Sequence, residues 1–248
     1  MDINRFIESF SNVKTEDELN KALAAFSSAM GFNQFGLTVI IPQSLSRPLI
    51  AIFAHCSNDW ESVYRRDELL RRDPVIHLSL RQTSPIFWHQ LQGKSPFLPQ
   101  GAMDMMGLAA EFGLRNGVTF PLRGAGGESG ILSFITSDEL SSHLLESSPL
   151  LRFVADYIFE TAIRLVSKRA KGKSLTKREV ECLFWASEGK TAAEIAGILG
   201  ITPRTVTYYM HQAVVKTDSV NRDQAIAKAA IAGLLIPNLE QARVESPI

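Results

Sequence analysis

Residues Leu175 to Gly233 carry so much helix start and stop chemistry that four short helices can be placed from it alone, and nothing else constrains the fold of this chain as tightly. Thr176-Lys177-Arg178-Glu179 is a capping box, with the Glu three residues after the Thr. It opens a helix carrying Val180, Leu183, Phe184 and Ala186 on one side, which Gly189 ends. Thr191-Ala192-Ala193-Glu194 is a second box, followed by Ile195, Ile198 and Leu199 and stopped by Gly200. Thr202-Pro203 starts a third helix through Val206, Tyr209 and Val214. Asn221 opens a fourth, carrying Ile226, Ala229 and Ala230 to Gly233. Only Gly200 and Ile201 stand between the second helix and the cap of the third, the tight glycine-containing turn of a helix-turn-helix.

The third helix of such a unit enters a DNA groove by its N-terminal turn. Thr202, Arg204, Thr205, Thr207 and Tyr208 fall on that turn or on the outward side, where they reach phosphates and base edges. Lys190 and Lys216, with Lys177, Arg178 and Arg222, surround it as phosphate contacts. The net charge of zero conceals a supporting asymmetry. From Lys168 onward twelve Lys and Arg face eight Asp and Glu, giving +4, and residues 1–167 carry the balancing −4. A bundle used only for packing is the bland alternative, and the coincidence of basic residues with the turn weighs against it.

The polar, basic run Ser167 to Ser174 separates this all-helical part from a mixed one. The expected domains are therefore 1–167, a linker at 168–174, and 175–248. In the first, Thr15-Glu16-Asp17-Glu18 is a capping box before Leu19, Leu23, Phe26 and Met30 at helical spacing, with Gly31 as the stop. Phe35–Ile41, Leu49–His55, Gly117–Leu122 and Gly130–Thr136 have the pattern of strands, and a helical stretch covers Trp60 to Leu70. Ser148-Pro149 begins a long helix with Leu151, Val154, Ile158 and Leu165 in one stripe. The fold class is thus α+β, an N-terminal sandwich with a central antiparallel sheet and helices, then an all-α four-helix domain. No apolar run nears the roughly 18 residues of a membrane span. No secretory signal is visible at the N-terminus, and the two cysteines, Cys56 and Cys182, suit a reducing cytoplasm.

The segment from Leu175 to Leu235 closely resembles the LuxR-type helix-turn-helix, through Leu175-Thr176, Arg178-Glu179, Leu183, Gly189-Lys190-Thr191, Glu194-Ile195-Ala196, Thr205-Val206, Asn221-Arg222, Gln224-Ala225 and Gly233-Leu234. Tyr209 departs from the family's His, and Thr217 from its bulky aliphatic residue. Upstream, Trp60, Tyr64, Asp73-Pro74, Pro85 to Trp88 and Phe112 to Gly117 are similar in order and spacing to the autoinducer-binding domain of quorum-sensing LuxR regulators. The resemblance covers nearly the whole chain. It implies a cytoplasmic transcription factor that is not an enzyme and has no cofactor. Its ligand would be an N-acyl-homoserine lactone. It would dimerise through the long helix, bind a two-fold site in double-stranded DNA and work with RNA polymerase, without a membrane partner.

The chemistry of that ligand makes demands of its own. Its amide N–H needs an acceptor, which a buried Asp73 supplies as a charge-assisted bond. Trp60 can only donate, and by resemblance bonds the lactone carbonyl. Ser133 matches the family's hydroxyl near the amide carbonyl, while Tyr64 and Trp88 supply aromatic walls. Cys56 stands where many members have a Tyr donor, and Val75 offers no hydroxyl beside Asp73. Those two residues motivate a second reading, a LuxR-type regulator answering to a non-lactone small molecule. An esterase or lactonase is a third, disfavoured because the five histidines show no metal-ligand spacing and no G-x-S-x-G elbow occurs.

Overall fold

The computed structural model describes residues 3–44, 46–91, 96–137, 142–168 and 174–237, with the backbone alone for 142–144. The linker expected at 168–174 lies mostly outside the described residues, as does the tail beyond residue 237. Two compact units are present. Among the described residues no helix is long and apolar enough to cross a membrane.

The first unit is a five-stranded antiparallel sheet between two layers of helices. Its strands β1 (Gln34–Ile41), β2 (Leu49–His55), β3 (Ile86–Phe87), β4 (Asn116–Arg123) and β5 (Ser129–Thr136) stand in the order β2-β1-β5-β4-β3. Side-chain alternation along the strands decides what each face does. Phe35, Leu37, Val39, Val118, Phe120, Leu122, Leu132 and Phe134 turn to one side. There they form the main core with α1 (Ile3–Asn12), α2 (Glu16–Ala29) and α6 (Ser142–Ser167). The intervening residues face α3 (Asn58–Arg66), α4 (Pro74–Ser79) and α5 (Ala102–Glu111), where a smaller apolar cluster holds Trp60, Leu69, Met105, Ala109, Leu114 and Ile135.

The structure departs from the sequence expectation at three places in this unit. The long helix begins at Ser142, with Pro149 inside it, and not at Ser148-Pro149. A proline cannot donate to the carbonyl four residues back, a cost of about 3 kcal/mol. Complete burial of Leu151, Val154 and Ile158 just beyond it outweighs that loss. The helix at Trp60 ends at Arg66; Glu68 adopts φ 49° and a single 3-10 turn, Leu69–Arg71, puts Leu69 into the core. At the start of α2, Thr15 Oγ1 accepts from Glu18 N at 3.2 Å, but the Glu18 carboxylate reaches Lys14 N at 2.7 Å, so only half of the expected box forms. The elements α1, β3, α4 and α5 are additions that the sequence pattern did not reveal.

The second unit is four helices, α7 (Lys177–Ser187), α8 (Ala192–Leu199), α9 (Pro203–Lys216) and α10 (Arg222–Ile231). Both capping boxes close reciprocally, at Thr176 with Glu179 and at Thr191 with Glu194. Gly200 takes φ 66° at the turn, a left-handed conformation that a Cβ disfavours. Leu183, Cys182, Ile195, Val206, Ala213 and Ala225 are buried between the helices.

Candidate functional site

A cavity of about 300 Å³ lies between the sheet and the α3–α5 layer, large enough for a small organic ligand. Cys56, Trp60, Tyr64, Asp73, Val75, Trp88 and Ser133, all seven residues expected to touch a ligand, line this one cavity. Ser57 caps α3 by accepting from Trp60 N at 3.2 Å, and the i, i+4 pair Trp60 and Tyr64 then shares a helix face, their rings 5.6 Å apart. Trp60 is buried, and no acceptor for its indole N–H occurs among the described residues.

Asp73 is the N-cap of α4. Its Oδ1 accepts from Val75 N at 2.8 Å and Ile76 N at 3.4 Å, and its Oδ2 from the Tyr64 hydroxyl at 2.9 Å. Burial pushes the Asp73 carboxyl above its ordinary value, against the opposing pull of those three donors. Burial, then the Asp73 charge, pushes the Tyr64 phenol up as well, so it stays a donor at neutral pH. Asp73 thus combines a structural cap with an acceptor facing the cavity. The Cys56 thiol, pushed up to about 11 by burial and by Glu61, lies 4.0 Å from the Glu61 carboxylate.

Across the sheet floor, Trp88 Nε1 donates to Thr119 Oγ1 at 2.9 Å, and Thr119 Oγ1 lies 2.7 Å from Ser133 Oγ. Thr119 and Ser133 are direct register partners, and Gly36 is the partner of Ser133 on its other side. A Cβ at Gly36 would meet nothing within 4 Å, so the space beside the Ser133 hydroxyl is open. Gly117 has no such room: a Cβ there would lie 2.7 Å from the Phe134 carbonyl oxygen and 3.3 Å from the Trp88 indole, so its absence lets both the neighbouring strand and that ring approach.

Asn20, Thr38, Glu61 and Arg65 also line the cavity and were not anticipated, nor was Thr119 behind Ser133. Strand alternation around Ser133 would have marked Thr38 and Thr119 as facing its layer. Asn20 comes from the opposite helix layer and has no such signal; its Oδ1 is buried with no hydrogen-bond partner among the described residues.

In the helical unit, Thr202 Oγ1 caps α9 by accepting from Thr205 N at 3.2 Å. Arg204, Thr207, Tyr208, His211 and Val215 form the exposed face of that helix, and Thr205 is half-buried. Thr207 donates back to Pro203 O at 3.0 Å, so its hydroxyl offers only an acceptor. His211 and Val215 were not anticipated there. Lys216 has a structural partner in place of the free phosphate contact expected of it: its Nζ lies 2.8 Å from the carboxylate of buried Glu179. Arg222 likewise donates to the carbonyls of Ala186 and Lys190, both at 3.3 Å, tying α10 to the end of α7 and the loop after it. Lys190 is half-buried at the start of α8. At the two family departures, Tyr209 packs against the buried cluster around Val206, and the Thr217 hydroxyl donates to Ala213 O at 2.7 Å.

Comparison with known proteins agrees with both units. Residues 15–162 match the family described as "Autoinducer binding domain", and residues 173–229 match "Bacterial regulatory proteins, luxR family". The chain is similar to the transcriptional activator protein AhyR of Aeromonas hydrophila, 50% identical over 241 residues that cover 95% of this chain and 93% of that one. Among solved structures, it is similar to Escherichia coli SdiA with a TM-score of 0.76 and 26% identity, covering 95% and 98% of the two chains. SdiA in complex with octanoyl-rac-glycerol matches with a TM-score of 0.69 and 25% identity, over 95% and 96%.

Proposed function

The chain belongs to the LuxR family of quorum-sensing transcriptional regulators, with an autoinducer-binding domain and a helix-turn-helix DNA-binding domain, and we propose that its signal is an N-acyl-homoserine lactone whose binding favours a DNA-bound dimer. The observation that carries the ligand assignment is the convergence, in one cavity, of the Asp73 acceptor and the Trp60 and Ser133 donors, within a lining that is otherwise mostly apolar. In this reading Asp73 accepts from the amide N–H, Trp60 donates to the lactone carbonyl and Ser133 to the amide carbonyl. Tyr64, Val75, Trp88 and Cys56 wall the ligand. Exposed Leu145 and Phe153 on α6 support dimerisation through that helix. Filling the cavity stabilises the ligand-bound conformation and shifts the population toward it. The division at 1–167 and 175–248, with cytoplasmic action and contact with RNA polymerase, completes the proposal.

Thermal unfolding with a panel of acyl-homoserine lactones tests the ligand. At about 100 times its dissociation constant, a ligand adds about 2.7 kcal/mol, roughly a 5–10 °C rise for a domain of this size. The complex of SdiA with octanoyl-rac-glycerol, together with Cys56 in place of a stronger donor, favours one second reading, a non-lactone acyl ligand. A midpoint raised by octanoylglycerol and by no lactone would establish that reading instead.

The DNA side rests on the exposed face of α9, with Thr202, Arg204, Thr205 and Tyr208 as base or phosphate contacts and Lys190 as a phosphate contact. Lys216 contributes through its pairing with Glu179. Arg204→Ala is expected to weaken operator binding by roughly 5- to 150-fold, corresponding to about 1–3 kcal/mol. Ligand-induced stabilisation should be unchanged, and an electrophoretic mobility shift beside the melting curve reads both. Undiminished DNA affinity would remove Arg204 from the interface.

A further inference from the structure

Thr119 does not line the cavity, yet it determines how one cavity hydroxyl can be used. It is completely buried on β4, between the Trp88 indole and the Ser133 hydroxyl. An indole N–H only donates, so Thr119 Oγ1 must accept from Trp88. The proton of Thr119 then has one acceptor within reach among the described residues, Ser133 Oγ at 2.7 Å. If Ser133 donated to Thr119 instead, Thr119 would receive two protons and leave its own buried and unpaired. The one fully satisfied arrangement runs Trp88 to Thr119 to Ser133.

In that arrangement the Ser133 proton is not spent inside the protein. Ser133 lines the cavity beside the open space over Gly36, so its O–H is available there. We propose that Thr119 is a positioning residue that fixes Ser133 as a hydrogen-bond donor into the cavity, selecting ligands with a carbonyl oxygen at that point. The proposal rests on the acyl-lactone reading above, where that oxygen is the amide carbonyl. The same chain holds the Trp88 ring through its indole nitrogen, so one buried threonine couples the aromatic wall to the polar contact. Bonds in such a series also polarise one another, which makes the terminal Ser133 O–H a better donor.

The test is a double-mutant cycle on the full-length chain, titrating N-butanoyl-, N-hexanoyl- and N-octanoyl-homoserine lactone into wild type, Thr119→Val, Ser133→Ala and the double variant. Thr119→Val keeps the shape and removes the hydroxyl. For the lactone that binds wild type best, each single variant is expected to lose about tenfold in affinity, or about 1.4 kcal/mol. The double variant should lose clearly less than the two single losses combined, because the part of the Thr119 effect that runs through Ser133 cannot be lost twice. Thr119→Ser, which restores the hydroxyl, should return affinity to within about threefold of wild type. Ligand-free melting curves separate a folding defect from this coupling, since a merely structural Thr119 would lower stability without interacting with Ser133. Additive losses in the double variant, or no rescue by Thr119→Ser, would overturn the proposal alone. A wild-type chain that binds none of the three lactones overturns the underlying reading, and the proposal with it.

Discussion

Asp73→Ala is expected to abolish most of the ligand-induced rise in melting temperature while the N-terminal unit stays folded. Two contributions oppose each other in the ligand-free protein. On one side, losing the cap on Val75 N and Ile76 N costs about 1 kcal/mol, and leaving the Tyr64 hydroxyl without its acceptor costs about 1–3 kcal/mol more. Removing a carboxyl whose ionisation is already disfavoured by burial returns part of that. With ligand the balance differs, because the amide N–H loses a charge-assisted acceptor worth about 1.5–3 kcal/mol, or roughly 10- to 150-fold in affinity. Asp73→Asn keeps one acceptor oxygen and should fall between alanine and wild type. Equal ligand stabilisation in wild type and Asp73→Ala would mean that the ligand does not use this carboxylate.

Lys216→Ala is expected to have the largest effect on stability in the C-terminal unit. The Glu179 side chain is only 4% exposed, and it accepts from Lys216 Nζ at 2.8 Å and Thr176 N at 2.7 Å. Removing the lysine leaves a buried carboxylate without its countercharge, a change that typically costs about 3–5 kcal/mol. A unit of four short helices has little more than that in total, so most of its helical signal should be lost at 37 °C, with ligand binding by the N-terminal unit retained. The double variant Lys216→Met with Glu179→Gln should recover much of the loss, since neither charge remains.

The same pair gives the wild type an acid limit. Burial pushes the Glu179 carboxyl up, but Lys216 and the Thr176 donors outweigh it and hold the group below the usual glutamate value. The folded protein therefore binds this proton less readily than the unfolded chain. The stabilisation is complete above the unfolded value near pH ~4.3 and is lost as pH falls through the lower folded value. Unchanged helix content in Lys216→Ala across this range would show the ion pair to be dispensable.

Legibility differed between the two units for a physical reason. Helix starts and stops in the C-terminal unit are chemical events within three or four residues, so Thr176, Thr191, Thr202 and Asn221 could be placed as caps from neighbouring letters, and all four do cap. The strands of the N-terminal unit were legible from alternation. Their order was not, because the β1–β5 pairing joins residues nearly a hundred apart. Pro149 shows the limit of local rules: its sequence context suits a helix start, yet packing carries the helix seven residues further back.

Sequence alone determined the fold class and the helix-turn-helix, since these follow from period and capping, and it named the residues that converge on the cavity through their resemblance to the autoinducer-binding domain. Tertiary structure alone decided which partners those side chains have. It paired Lys216 with Glu179 and stacked Gly36, Ser133 and Thr119 side by side in register. It also gave Asp73 both a cap and a phenol to hold. Each of these contacts joins atoms whose distance along the chain says nothing of their distance in space, and a hydrogen bond or an ion pair is a property of the second distance.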